Sequence, residues 1–172
     1  MNKFDFFNGH DNLLKSWKNL RTTMTTELTD TEHLEKVSAF WSNAPLSVRI
    51  IDWDLPESWP DPWSLMYQNK FDESAVSLGM FYTLLLSNDN RWQNDRLQLQ
   101  LITDLHRSTQ LIVLKVDNRW LMNVEYNQVI DSKEFKMNYS VQHNYGYCDS
   151  KHYLLNYGYK KNETQTMTSD NR

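Results

Sequence analysis

A single cysteine, Cys148, stands among the 172 residues. That excludes an internal disulfide framework and any metal site built from several thiolates, and it fits a reducing compartment. Positive charge is not in excess either, since 18 Lys and Arg face 22 Asp and Glu for a net charge of −4. The basic residues are scattered rather than gathered into a stripe, so nucleic acid is not an expected partner. No apolar run approaches the roughly 18 residues that would cross a bilayer, and the first eight residues, MNKFDFFN, lack the apolar stretch of a signal peptide. A soluble, unsecreted protein without membrane contact is expected. Glycine and proline are scarce, four of each, and three prolines (Pro56, Pro60 and Pro62) fall within one connection. Rigid turn chemistry is therefore concentrated in one place.

What the chain does have is bulk. Hydrophobic residues make up 40% and aromatics 13%, which is enough to fill a core and excludes disorder of the whole chain. The length suits one domain. Leu13, Leu14, Trp17 and Leu20 recur at helical spacing and predict a helix over residues 10–22, with Asn8 or Asp11 as its cap. Thr29 and Glu32 have capping-box spacing ahead of Leu34, Val37, Phe40 and Trp41, so a second helix is expected to end near Asn43. An extended piece over residues 46–52 should follow. Asp61 before Pro62 predicts a helix over residues 62–68, because Asp caps free N–H groups and proline at the first position gives up only an unpartnered one. Asp72 and Glu73 open a further helix, in which Ala75, Leu78, Gly79, Tyr82, Leu85 and Leu86 share an apolar side. Gly79 implies close packing there, and this helix is read as the buried centre of the fold.

The period changes at Arg96. Leu97, Leu99 and Leu101 alternate with polar residues, as in a half-buried strand. Residues 110–116 and 119–126 read as two more strands, joined by Asp117 and Asn118, which tolerate the positive φ of a two-residue hairpin turn. Residues 129–130, 138–147 and 152–157 are expected to add edge strands. The reading is a single α+β domain over residues 1–159, in which N-terminal helices and a buried helix pack on an antiparallel sheet. A flexible polar tail is expected over residues 160–172.

Helices first, then a buried helix opening at Asp72, then antiparallel strands: this order resembles papain-like and transglutaminase-like cores. In that family a nucleophilic Cys begins the buried helix, where the helix dipole lowers its pKa, a His on a following strand is the base, and an Asp or Asn on the next strand orients it. The resemblance implies Asp72, give or take one residue, at the nucleophile position, His106 as base and Asn123 as orienter. Ser74 is the nearest hydroxyl, and Cys148 lies too far downstream to take the nucleophile's place in this order. A carboxylate is a much weaker acyl-transfer nucleophile than a thiolate, so a degenerate, inactive core is expected. The alternative is an acyl-transfer or hydrolytic enzyme using His106 and Asn123 with an unrecognised nucleophile.

Residues 59–63, Trp-Pro-Asp-Pro-Trp, and the run Leu78-Gly79-Met80-Phe81-Tyr82-Thr83-Leu84 resemble segments of small uncharacterised proteins of tailed bacteriophages, especially marine contractile-tailed ones. This implies an accessory or structural phage protein acting through protein–protein contacts in the host bacterial cytoplasm or the virion, with a phage or host protein as partner.

Blander readings stand beside these. His106 also suits a solvated strand entrance, and Asn123 an edge backbone contact. His143, Cys148, Asp149 and His152 offer zinc-type donors, but their spacing matches no standard ligand pattern, so no metal and no cofactor are expected. Trp53, Trp59 and Trp63 are the candidate partner-binding residues, since Trp dominates interface hot spots, or else they cover the buried helix. Asp52, Asp54, Glu57 and Asp61 make this connection acidic. Asp52 and Asp54 share a face only in an extended strand and carry no glycosidase pattern.

Overall fold

The computed structural model describes residues 6–7, 9–48, 51–92, 96–135, 138–146 and 159–161. Among the described residues four α-helices come first: α1 (His10–Thr23), α2 (Asp30–Trp41), α3 (Pro62–Gln68) and α4 (Glu73–Leu85). Six described strands follow: β1 (Leu97–Asp104), β2 (Thr109–Val116), β3 (Trp120–Met122), β4 (Val129–Asp131), β5 (Tyr139–Gly146) and β6 (Tyr159–Lys161). They form one antiparallel sheet in the order β4-β3-β2-β1-β5-β6. The expected α+β architecture, a buried helix packed on an antiparallel sheet, is present.

Three of the four helix starts follow their local chemistry; α1 instead begins after Gly9 with no side-chain cap, and Asp11, one of the two expected caps, lies in its first turn. Thr29 and Glu32 close both halves of the capping box on α2. Asp61 receives the Trp63 and Ser64 N–H groups at 2.9 and 3.0 Å with Pro62 in the first turn, so α3 has the predicted bounds. Asp72 caps α4, accepting the Ala75 N–H at 2.6 Å. Asp117 and Asn118 both take positive φ, 53° and 54°, and the Arg119 N–H returns to the Val116 carbonyl at 2.9 Å, closing the expected hairpin.

α4 is buried from Ala75 to Leu84 and packs on β1 and β2. Gly79 is required there, because a Cβ at this position would stand 2.2 Å from the Trp41 ring. One turn later the Thr83 hydroxyl gathers three bonds. It accepts the indole N–H groups of Trp17 and Trp41, each at 2.9 Å, and donates to the Gly79 carbonyl at 2.7 Å. The close packing expected of Gly79 is thus the seat of one indole.

Three sheet features depart from expectation. β3 stops at Met122 instead of running to residue 126, because Asn123 turns left-handed at φ 64° and sends its side chain to α4. β5 is not a mere edge: it pairs with β1, which places β1 in the middle with apolar clusters on both faces. β6 pairs with β5 and spans the expected domain boundary at residue 159. The remainder of the expected tail, 162–172, and the expected strand at 152–157 lie outside the described residues.

Candidate functional site

The start of α4 opens on a cleft of about 360 Å³. Asp72, Glu73 and Ser74 form its helical wall, Leu101, Gln110 and Leu111 its sheet wall, and Leu46, Ser47 and Trp53 its third side. The chain after α2 is held here through the Ser47 N–H, which donates to the Phe71 carbonyl at 2.7 Å, so the third wall is tied to the residue before the helix cap. Gln110 shares strand parity with the core-facing Ile112, Leu114 and Val116, which turns it toward the helices. Counting in twos from those residues would have found it in the sequence.

Asn123 reaches this region from the end of β3. Its side-chain N–H groups donate to the Glu73 carbonyl and the Ser77 hydroxyl, both at 2.7 Å, while Ser77 donates to the Ile112 carbonyl. Asn123 therefore ties β3 to the first turn of α4 and to β2. In the expected role it would have oriented an imidazole, whereas its amide is committed to a helix carbonyl and a serine.

His106 is not brought to the cleft. It sits exposed in the turn that joins β1 to β2 over residues 105–108. Its backbone N–H donates to the Asp104 carboxylate at 2.8 Å, and the Arg107 N–H to the same oxygen at 3.2 Å. The physical reason is Asp104, which ends β1 by receiving the turn's N–H groups and so keeps His106 in the connection rather than on a core-facing strand. Ser74, by contrast, does line the cleft.

No cysteine or histidine is among the described residues that line it. His143 pairs across strands with Leu101 and stacks against Trp53 at 5.8 Å, so its ring adjoins two residues of the cleft lining. At the nucleophile position stands Asp72, with one carboxylate oxygen engaged on Ala75 N–H. This cap satisfies one of the free N–H groups in the first turn of α4. Among the described residues it has neither the thiolate nor the imidazole of the resemblance beside it.

The three tryptophans divide. Trp59 is buried, its indole N–H on the Asp52 carbonyl at 2.7 Å and its ring 4.9 Å from Tyr145. Trp53 is half-buried, and its carbonyl accepts the Tyr145 hydroxyl at 2.8 Å. Both pack the acidic connection onto β5. Trp59 is thereby removed from the partner-binding set, because its ring is committed to the core. Trp63 remains 47% exposed. It occupies the outer face of α3, since Pro62, Leu65 and Met66 take the inner one.

A second polar centre was missed entirely. His33 is fully buried: its Nε2–H donates to the Thr25 carbonyl and its Nδ1 accepts the Trp92 indole N–H, both at 3.0 Å. Burial first, and then the nearby Arg91 charge, holds this imidazole below its ordinary pKa against the raising effect of the Thr25 bond. Around it Arg91 binds Asp30 and Asp89, and Arg96 binds Asp30 and Asp117. For Asp30, burial raises the pKa, but the bonds and charges of the two arginines outweigh it and the net direction is down. Partners up to 66 residues apart make this cluster, and no local pattern announces it.

Among the described residues no group of three or more His, Cys, Asp or Glu could hold a metal ion, and Cys148, Asp149 and His152 lie outside them. No described helix is long and apolar enough to cross a membrane.

No family model matches the chain, and no curated protein does. Solved structures do. The calcium-bound form of Legionella pneumophila LapG superposes with a TM-score of 0.64 at 15% identity, covering 79% of this chain and 76% of that one. A second structure of L. pneumophila LapG and its EGTA-treated form each give 0.62 at 14% identity, covering 83% of this chain and 75% of theirs. At such identity the likeness is one of fold, and that fold is transglutaminase-like.

Proposed function

We propose that this chain is an interaction protein built on a transglutaminase-like scaffold that has no thiol chemistry, serving a tailed phage as an accessory or structural component. One observation carries the reading. Where the family order calls for a nucleophile, Asp72 caps α4 through Ala75 N–H at 2.6 Å, in a cleft whose described lining offers Glu73, Ser74 and Gln110 but no imidazole. A capping carboxylate is a poor acyl acceptor, and a serine hydroxyl without an imidazole to take its proton is a weak nucleophile at neutral pH. The phage part of the reading is supported by the wording of residues 59–63 and 78–84. Partner binding is supported by the aromatic side chains that the fold leaves outside.

The test joins two measurements on the full chain. Mass spectrometry of purified phage particles and of infected-cell complexes should recover the chain with a stoichiometric protein partner, in the particle or the host cytoplasm. Peptide and ester hydrolysis and amine incorporation should stay at buffer background. Turnover that disappears in Ser74→Ala, or in His106→Ala, would overturn the reading in favour of an acyl-transfer or hydrolytic enzyme.

A further inference from the structure

We infer that the groove between α1 and α3 seats a short, acidic amphipathic helix of a protein partner. The inference rests on the interaction reading above, but not on the absence of chemistry in the cleft, with which the groove shares no lining residue. His10 and Leu14 of α1 and Trp63, Ser64, Tyr67 and Gln68 of α3 enclose about 370 Å³.

Two large aromatics stand outside here one helical turn apart, Trp63 at 47% and Tyr67 at 72% exposure. Neither can turn inward, because the inner face of α3 is filled by Pro62, Leu65 and Met66. Both are held in place before any partner arrives. The Trp63 ring meets Trp17 edge-on at 5.4 Å with the Arg21 guanidinium 5.3 Å from its centre, and Tyr67 meets His10 at 4.5 Å. Ordered aromatic anchors beside an arginine are the composition of interface hot spots, and little entropy remains to be lost when they bind. A third helix laid across α1 and α3 would cover them with one apolar stripe.

Charge selects the occupant. In a chain of net charge −4, α1 carries Lys15, Lys18 and Arg21 against Asp11 alone. Lys18 and Arg21 follow Leu14 by four and seven residues, which places all three on the groove side of the helix. Carboxylates flanking the partner's apolar stripe would meet the exposed Lys18. A continuous phosphate backbone suits the groove less well. Asp61 stands at the Trp63 end and Asp11 beside His10 at the other, so a long polyanion is repelled at both ends.

The probe is a fluorescein-labelled amphipathic peptide with Leu and Phe on one face and Glu on the other, two to three turns long, read by polarisation on the full chain. Saturable binding is expected, weakened about tenfold by Tyr67→Ala and by Trp63→Ala, since single hot-spot truncations commonly cost that much. Lys18→Glu should weaken it further as salt is lowered, reversing the salt dependence of wild type. Tyr67 and Lys18 are exposed, so their variants keep the test decisive if Trp63→Ala fails to fold. Equal binding of a peptide with Lys in place of Glu would overturn the inference. So would tighter binding of an oligothymidylate, or sedimentation showing a homodimer that Tyr67→Ala dissociates. Each of these outcomes leaves the turnover result in the cleft untouched, so failure of the groove and failure of the functional reading can be told apart.

Discussion

In its second half α4 is gripped on several sides, whereas its first turn faces an open cleft. Gly79 admits the Trp41 ring, and Thr83 fixes two indoles with one hydroxyl. Six residues earlier, Glu73 is exposed and Ser74 half-exposed, with Asp72 spending a carboxylate oxygen on the helix's own backbone. The same helix is thus fully determined where it supports the fold and plainly capped where a transglutaminase-like order would put chemistry. A fold survives on the first kind of contact alone. Activity would need the second.

Substitutions along α4 can break or sharpen this contrast. Gly79→Ala should have the largest effect, at least about 3 kcal/mol, because the added Cβ overlaps an indole that neighbouring aromatic rings prevent from moving. Denaturant titration reads it, and in a double-mutant cycle with Trp41→Leu the two costs should not add, since the smaller side chain removes the overlap. Thr83→Val keeps the shape but strands two buried indole N–H groups, and should cost about 2–4 kcal/mol in the same titration.

His33 gives a smaller effect of known sign. Its folded-state pKa lies below the ordinary 6.5, so the unfolded chain binds the extra proton first. The contribution is fully present above 6.5 and is lost as pH falls through the window below it. Geometry supplies the reason: a proton on Nδ1 would face the Trp92 N–H, donor against donor. Urea midpoints for wild type should fall between pH 7.5 and about pH 5.5, and His33→Gln should flatten that decline. At the open end of α4 the effects are smaller still. Asp72→Ala should cost about 1 kcal/mol as a lost cap. Ser74→Ala should lie within about 0.5 kcal/mol of wild type, as suits a residue that only lines the cleft.

Much of the scaffold was legible because it is local. The capping box at Thr29, the Asp61-Pro62 helix start and the Asp117-Asn118 turn each act within four residues, and the two helix starts and the turn stand where expected. The site was less legible because it is assembled across the sheet. In the sequence His106 suits either a base position or a solvated strand entrance, and Asp104 decides for the second by ending β1 and drawing the His106 N–H into the turn. Gln110, by contrast, is legible by strand parity with Ile112, Leu114 and Val116. Trp59 and Trp63 are alike in sequence and opposite in exposure, because the extended backbone at Trp59 points inward and the first turn of α3 points Trp63 outward. The cluster of His33, Arg91 and Arg96 had no local signature at all.

The most direct test of a silent helix start is covalent trapping. The full chain is incubated with excess fluorophosphonate and, separately, with an activated ester, and intact mass is followed by peptide mapping. The account predicts an unmodified mass at residues 72–74, with any labelling spread over exposed side chains at the rate of the unfolded chain. A stoichiometric adduct on Ser74, Asp72 or Glu73 that forms only in the folded protein would contradict it.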